Sequence, residues 1–289
     1  MRKLVVIGDS WTYGSEIRDP KFTDDIKDWE SINDEYRLPK IWPTKLSKML
    51  GFDECINLSY PAASNDRSVR VLINYLTQEY FSKGKSTDEI FVIVGLTSPE
   101  RKDFFYKDEE KSGDNFWMTL WPMWKHKYLQ ESINKFADIY VKYFWNKEEY
   151  ANRYVNQIFQ LQTLFERYNI KFMFFQAFYQ STEIGFRNWK DDPYIREFNA
   201  TVDQLIWDLI DPIKFVNKNN KIHSFHNYIV NKDETENKSE ALLDMHPSEI
   251  GHTWWAEYLY EYIKKYDITN LGSYESSSIK HNDNKRNII

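Results

Sequence analysis

A serine stands directly after the first apolar run of the chain, where it could act as a nucleophile. The run Lys3–Ile7 is rich in β-branched residues and predicts a buried strand, and Gly8-Asp9-Ser10 follows it. A serine that leaves such a strand presents its hydroxyl at the edge of the sheet, beside the N–H groups of any helix that follows. An unactivated serine is a weak nucleophile and needs an adjacent base. Taken alone, the segment is better explained as a turn, in which Gly, Asp and Ser are common.

A histidine near the other end of the sequence could supply that base. His246 lies two residues after Asp244 and precedes a predicted amphipathic helix. It could take the proton of Ser10, and Asp244 could orient the imidazole and stabilise its charged form. The alternative is that Ser248 simply caps the helix and that the histidine is incidental.

Short apolar runs alternate with helical patterns along most of the chain. We predict strands at Lys3–Ile7, Cys55–Leu58, Glu89–Leu96, Ile170–Phe178 and Lys214–Val216. We predict helices at Pro43–Leu50, Ser64–Phe81, Glu148–Tyr168, Pro193–Leu209 and Ile250–Tyr266. This alternation predicts an α/β protein with a parallel sheet and helices on both faces. Ligands of such sheets bind beyond the carboxyl ends of the strands, which is where Ser10 is expected.

The two motifs together resemble a known enzyme family. Gly8-Asp9-Ser10 near the start, paired with a late Asp-x-His-Pro-x-x-x-Gly-His that begins at Asp244, is similar to the SGNH hydrolases, also called GDSL esterases. The resemblance covers about residues 1–265 and implies a flavodoxin-like three-layer α/β sandwich with a parallel sheet. It also implies a serine esterase in which Ser10 attacks an ester carbonyl and His246 is the base. Asp244 would orient His246, and no metal or organic cofactor would be needed.

Two further blocks of that family stabilise an oxyanion, and this chain departs from both. Ala62 stands where the family has a glycine whose backbone N–H donates, and Thr97 stands where it has an asparagine. By resemblance, the donors would be the N–H groups of Ser10 and Ala62, with Thr97 or Asn65 as the side-chain donor. The N–H at Ala62 survives the change provided that the position does not require a positive φ. Loss of one such donor lowers the rate roughly 100- to 1000-fold.

The last motif departs as well, since many members place the acid three residues before the histidine. The Asp-x-His-Pro spacing at Asp244 and the block Gly95–Arg101 resemble phage-encoded members of the family. Arg101 could bind an anionic group of the substrate. The simpler expectation is a surface ion pair with Glu100 or Asp103.

The segment of about residues 104–147 interrupts the strand–helix rhythm with many aromatic residues. We predict an aromatic-rich helical insertion or lid within an α/β domain of residues 1–269, followed by a polar flexible tail, 270–289. Trp and Tyr form flat platforms that stack on sugar rings, so a small acyl (acetyl) ester of a carbohydrate is the expected substrate. The alternative is a helical hairpin whose aromatic residues form its own core. The aromatic residues most expected at the surface are Trp117, Trp121 and Trp124.

Composition excludes several other classes of function. The 289 residues include 38 basic and 44 acidic side chains, and the net charge of −6 argues against a generally basic nucleic-acid binder. The single cysteine, Cys55, excludes an intramolecular disulfide framework and a cysteine-based zinc cluster. No apolar run approaches the roughly 18 residues of a membrane span. The first apolar run is too short for a signal peptide, so we expect a cytoplasmic or virion-associated protein.

Two other functions stay open beside an esterase that acts on a small-molecule or glycan ester. The changes at Ala62 and Thr97 are compatible with a non-catalytic binding or structural module that keeps the scaffold. A metal-dependent hydrolase could use His223 and His226, but nothing in the sequence fixes their spacing. We expect no cofactor, no metal, and neither nucleic acid nor a membrane as a partner.

Overall fold

The structure, a computed structural model, describes residues 1–22, 31–107, 115–121, 131–178, 204–218, 224–236 and 240–269. The strands are β1 (Lys3–Ile7), β2 (Glu54–Asn57), β3 (Ile90–Leu96), β4 (Lys102–Lys107), β5 (Asn115–Leu120), β6 (Lys171–Gln176), β7 (Leu242–Leu243) and β8 (His246–Pro247). The first α-helices are α1 (Ser10–Tyr13), α2 (Asp34–Arg37), α3 (Trp42–Leu50), α4 (Asn65–Glu79) and α5 (Glu131–Tyr143). The later ones are α6 (Lys147–Arg167), α7 (Gln204–Leu209), α8 (Phe225–Glu236) and α9 (Glu249–Lys265). Short 3-10 helices cover Ser31–Asn33, Leu38–Lys40 and Phe81–Lys83.

Four strands form one parallel sheet in the order β2-β1-β3-β6. β1 is central, and its Val5 lies opposite Ile56 on one side and Val92 on the other. A parallel bridge between Phe174 and Phe215 continues the sheet beyond β6, where a last short strand is predicted from the sequence. This order is that of flavodoxin-like doubly wound sheets, whose ligands bind at the carboxyl edge.

Helices cover both faces of this sheet, because side chains alternate in direction along each strand. On one face, Val5 and Ile7 pack with side chains of α4 and α6. On the other face, Leu4 and Val6 pack with α3, α8 and α9. A strand as continuously apolar as β3 requires cover on both sides. The α/β class, the parallel sheet and the three-layer sandwich expected from the sequence are confirmed.

Part of the predicted insertion is a β-hairpin rather than a helical hairpin. β4 and β5 pair antiparallel as a sheet of their own. Met118 and Leu120 of this hairpin pack against Ile133 and Tyr140 of α5 in a small separate core. Met118 and Leu120 lie two residues apart and share one face, which is the period of a strand and not of a helix.

Asp103 holds this hairpin against the main sheet and its helices. Its carboxylate accepts hydrogen bonds from the hydroxyls of Ser64 at 2.6 Å and Thr119 at 2.7 Å. It also pairs with Arg70 at 2.7 Å. Since Ser64 caps α4, one buried carboxylate joins the hairpin, the cap and the helix.

Several predictions concern residues outside the described ranges. These are Trp124, the tail 270–289 and the first part of the helix predicted at Pro193–Leu209, whose end is α7. The closing helix, predicted at Ile250–Tyr266, is α9. In the part of the chain that is described, none of the helices is long and apolar enough to span a bilayer.

Candidate active site

Ser10 lies at the carboxyl edge of the sheet, where β1 ends and the single turn of α1 begins. Asp9 caps this turn, since its side chain accepts a hydrogen bond from the N–H of Trp11 at 3.0 Å. Gly14 ends it with φ +88°, in the left-handed region that favours glycine. The Ser10 hydroxyl makes no hydrogen bond within the described ranges, so its proton is not committed to a structural bond.

Two glycines allow α1 to sit this close to the sheet. A Cβ at Gly8 would lie 2.5 Å from Oγ1 of Thr12, and a Cβ at Gly95 would lie 2.7 Å from the same atom. Both separations are far shorter than real contacts. Thr12 therefore fills the space that side chains at the ends of β1 and β3 would need, and it fixes the α1 turn over the sheet edge.

His246 reaches the same edge on the β7–β8 hairpin. Ser248 caps α9 directly after the hairpin, since its hydroxyl accepts from the N–H of Gly251 at 3.2 Å. A Cβ at Gly251 would lie 2.4 Å from the carbonyl oxygen of Ala241, so glycine is needed for α9 to pack on the hairpin. β8 in turn contacts α1, where the ring centroids of Trp11 and His246 are 6.5 Å apart.

Ser10 and His246 thus lie on adjoining elements that come from opposite ends of the sequence. No hydrogen bond joins their side chains in the described part of the chain. In enzymes without substrate, such bonds are often long and close only in the complex.

A carboxylate other than the one predicted faces His246. Oε1 of Glu16 lies 2.8 Å from Nδ1 of His246. That is a hydrogen-bond distance, but the geometry at Nδ1 does not meet the requirements of a hydrogen bond, so the two groups approach closely without one. Asp244 lies exposed at the tip of the hairpin with φ +47°. Among the described ion pairs, none joins Asp244 to His246, so the geometry does not support the predicted pairing.

Ala62 adopts a positive φ, the condition under which the sequence argument favours glycine. Its φ is +57°. It follows Pro61 in a turn that is closed by a hydrogen bond from the N–H of Ala63 to the carbonyl of Tyr60, at 3.2 Å. Proline followed by a positive φ is the pattern of a type II turn, which prefers glycine at the third position. Alanine there costs about 1 kcal/mol of conformational free energy.

Asn65 and Thr97, the two predicted side-chain donors to an oxyanion, are both bound to the protein itself. Thr97 Oγ1 donates to Oδ2 of Asp9 at 2.6 Å. The Asn65 side chain accepts from the Thr97 N–H at 2.9 Å and donates to the Thr97 carbonyl at 3.0 Å. Both residues are buried. The hydroxyl proton of Thr97 is therefore engaged in a hydrogen bond to Asp9. The Asn65 amide holds the backbone of Thr97 in place through two hydrogen bonds.

Arg101 is buried and pairs with Asp9 instead of forming the expected surface pair with a sequence neighbour. Its Nη1 lies 3.6 Å from Oδ2 of Asp9 and donates to the carbonyl of Ala63 at 3.1 Å. The guanidinium lies 4.7 Å from the ring centroid of Trp121 and 5.8 Å from that of Phe178. Burial lowers the pKa of Arg101, and Asp9 acts in the opposite direction. Arg101 therefore offsets the buried charge of Asp9 next to the Ser10 turn.

Among the described residues, two further histidines, His226 and His252, lie near the site without contacting Ser10. His252 of α9 is completely buried, and neither of its ring nitrogens has a hydrogen-bond partner among the described residues. Burial lowers the pKa of His252 to about 3, and the charges of Lys45 and His246 act in the same direction. His226 is buried beside Trp11. Within the described residues, no three His, Cys, Asp or Glu side chains are grouped to hold a metal ion, and His223 lies outside them.

Glu16 is the site residue that the sequence reasoning missed. It lies shortly after the Ser10 motif and more than 200 residues before His246, so no spacing rule connects the two. The one available signal was its position in the segment after the first strand, where ligand-binding residues of parallel sheets collect.

Comparison with known proteins gives one family and several folds of similar shape. Residues 21–191 match DUF6071, described as a family of unknown function. Among curated proteins, no match to the sequence is found. The solved structure of TesA is 11% identical with a TM-score of 0.46, and the alignment covers 92% of this chain and 99% of TesA.

Two esterases are similar to the same degree. The psychrotrophic esterase EstA from Pseudoalteromonas sp. is 12% identical with a TM-score of 0.46, over 92% of this chain and 98% of EstA. The acetylxylan esterase Axe2 from Geobacillus stearothermophilus is 15% identical with a TM-score of 0.43, over 91% of this chain and 94% of Axe2.

Proposed function

This chain belongs to DUF6071, a family of unknown function, and from its own residues we propose that it is a serine-dependent ester hydrolase. Ser10 is the nucleophile and His246 is the base. One observation carries the proposal: the α1 turn and the β7–β8 hairpin, from opposite ends of the sequence, meet at the carboxyl edge of the sheet.

Hydrolysis proceeds through an acyl-enzyme. Ser10 Oγ attacks the carbonyl carbon of the ester while His246 removes the hydroxyl proton. The tetrahedral intermediate expels the alkoxide, which takes that proton from His246. Water then attacks the acyl group with His246 again as base, and the carboxylic acid leaves. Because Nδ1 of His246 faces Glu16, Nε2 is the nitrogen left for Ser10.

Backbone N–H groups of Ser10 and Ala62 stabilise the oxyanion in this proposal. A side-chain contribution from Thr97 or Asn65 would require one of their present hydrogen bonds to break. The buried guanidinium of Arg101 is already paired with the carboxylate of Asp9. The proposed oxyanion site therefore depends chiefly on the backbone N–H groups.

A small acyl group on a carbohydrate is the substrate that the surface favours. Phe105 and Trp117 of the β4–β5 hairpin are 61% and 47% exposed, and their ring centroids lie 5.3 Å apart. Arg70 stacks over Trp117, with its guanidinium carbon 4.1 Å from the ring centroid. Flat exposed rings of this kind are suited to stacking against the faces of sugar rings.

Hydrolysis of p-nitrophenyl acetate tests the proposal directly. We expect Ser10→Ala to lower the rate at least about 1000-fold, to the background of the buffer, because the nucleophile is lost. Ser68→Ala is the matched control, since Ser68 is a buried serine of α4 whose hydroxyl has no partner in the described residues. Equal rates for wild type and Ser10→Ala, on this ester and on an acetylated oligosaccharide, would overturn the esterase assignment.

A non-catalytic binding module is a second candidate, and the region around Thr97 favours it. Both predicted side-chain donors to an oxyanion are engaged in internal bonds, and Ala62 occupies a turn that prefers glycine. A module of this kind would bind an acetylated oligosaccharide in calorimetry without releasing acetate, and Ser10→Ala would bind it equally well.

A further inference from the structure

The carboxylate that faces His246 comes from the segment shortly after the first motif and not from the last motif. Glu16 lies just beyond α1, and its Oε1 approaches Nδ1 of His246 to 2.8 Å. The His246 side chain is 19% exposed and that of Glu16 33% exposed, so the pair lies at the protein surface but is partly enclosed. Nδ1 is buried and makes no hydrogen bond with the described residues, and Glu16 is the carboxylate that approaches it.

We propose that Glu16, and not Asp244, is the residue that positions His246 during catalysis. The inference rests on the proposed esterase function, since it assigns a role within that reaction. Glu16 would hold the imidazole as the tautomer with a proton on Nδ1, which leaves Nε2 free to take the Ser10 proton. It would then stabilise the imidazolium without accepting a proton itself.

The backbone at Glu16 is unusual for a residue with a side chain. Its φ is +69°, in the left-handed region where glycine is preferred. The neighbouring Gly14 adopts the same region with φ +88° and ends α1. Residues held in this region without being glycine collect at functional sites, where the side chain is needed. A glutamate in this place is therefore explained better by what its carboxylate contacts than by the turn.

Asp244 has a structural explanation that needs no catalytic role. Leu243 pairs with His246 across the β7–β8 hairpin, so Asp244 and Met245 are the two residues of its tight turn. Asp244 has φ +47°, and Asp is among the few residues that tolerate this conformation in two-residue hairpin turns. The aspartate is what the turn requires, and its side chain is exposed to solvent.

The test compares two carboxylate removals that keep side-chain size. We expect Glu16→Gln to lower kcat for p-nitrophenyl acetate about 100- to 10,000-fold with KM changed less than about threefold, because binding is untouched and base function is lost. Asp244→Asn is the matched control and should keep kcat within about threefold. Glu16→Asp, which is one methylene shorter, should recover part of the loss.

Labelling of Ser10 gives a second readout that does not depend on the substrate. A fluorophosphonate probe reacts with the activated serine, and intact-mass measurements follow the rate. We expect Glu16→Gln to slow labelling strongly and Asp244→Asn to leave it unchanged.

Glu16→Gly separates activity from folding. It should raise the melting temperature by relieving the positive φ and should still lose kcat as far as Glu16→Gln does. A residue with a purely structural role would not show this combination.

The failures can be told apart. If Asp244→Asn loses kcat and labelling while Glu16→Gln keeps both, or if both variants behave as wild type, Glu16 has no positioning role and the esterase function stands. If wild type shows no Ser10-dependent hydrolysis and no labelling of Ser10, the proposed function falls and this inference falls with it.

Discussion

The two sides of the candidate site differ in how their polar groups are used. On the activation side, which we define as Ser10, Glu16 and His246, the serine hydroxyl is uncommitted in the described structure and the imidazole faces a carboxylate. On the oxyanion side, defined as Ala62, Asn65 and Thr97, the side-chain donors are bound to Asp9 or to the backbone.

Under the proposed function, this difference separates groups that would carry out the reaction from groups that stabilise the fold. A nucleophile and its base need a hydroxyl proton that can be transferred. Buried polar groups that stabilise the fold need all their hydrogen bonds formed. The activation side has such an uncommitted hydroxyl, and the side chains of the oxyanion side have their hydrogen bonds formed. Three substitutions and a change of pH test this difference between the two sides.

Asn65→Ala gives the largest expected effect on stability. It leaves the N–H and the carbonyl of Thr97 unpaired in a buried place, and we expect the free energy of unfolding to fall by about 2–4 kcal/mol. Thermal denaturation should show a drop of roughly 10 °C. Asn74→Ala, at an exposed position of the same helix, is the control and should change the melting temperature little.

The kinetics of Asn65→Ala distinguish a structural role of Asn65 from a role as a hydrogen-bond donor to the oxyanion. Below its melting temperature, Asn65→Ala should keep kcat within about tenfold, whereas loss of an oxyanion donor costs roughly 100- to 1000-fold. If kcat falls about 100-fold or more while the stability is unchanged, Asn65 acts as an oxyanion donor and not as a structural residue.

Acidification should lower the stability of the folded protein through His252, which is buried in the helix that follows His246. In the unfolded state the pKa of His252 is near its ordinary value of 6.5. Burial in the folded state lowers that pKa to about 3. Between these values the unfolded state binds more protons, so the free energy of unfolding falls as pH falls. From pH 7 to pH 5 the loss is about 2 kcal/mol.

His252→Leu tests this assignment, because leucine fills similar space and does not titrate. Urea denaturation at pH 7 and pH 5 should show a smaller loss of stability for the variant than for wild type, by about 2 kcal/mol. The same pH dependence in both proteins would mean that other groups cause the acid sensitivity.

Ala62→Gly gives the smallest effect and acts on the oxyanion side. Glycine relieves the strain of φ +57° but loses more conformational freedom on folding, so the net gain in the free energy of unfolding should be at most about 0.5 kcal/mol. The N–H stays in place, so kcat should change less than about twofold. Ala63→Gly is the control, since Ala63 is buried without a positive φ, and it should be destabilising.

The fold was predictable because its signals are local. The unbroken apolar run of β3 and the caps and periodicity of the flanking helices each lie within one segment. The β4–β5 hairpin was missed because its strand period lies within a stretch dense in aromatic residues, where a helix is equally plausible. Its attachment through Asp103 joins three distant segments and has no local signal.

The site was predictable only where a motif carried it. Ser10 and His246 come from short motifs, and the structure brings their elements together. The partner of Thr97 is Asp9, 88 residues away, and the carboxylate facing His246 is that of Glu16. Such pairs depend on how the layers pack, and spacing along the chain cannot reveal them. The positive φ of Ala62 likewise becomes apparent only once the turn is formed.

The distance in sequence between Ser10 and His246 has a consequence for synthesis on the ribosome. In the proposed esterase, translation at roughly 5–20 residues per second would place His246 tens of seconds behind Ser10. Until α9 follows, one face of the sheet also lacks a large part of its cover. Ser10 of a nascent chain would therefore lack its proposed base until the segment that carries His246 has emerged and packed against α1.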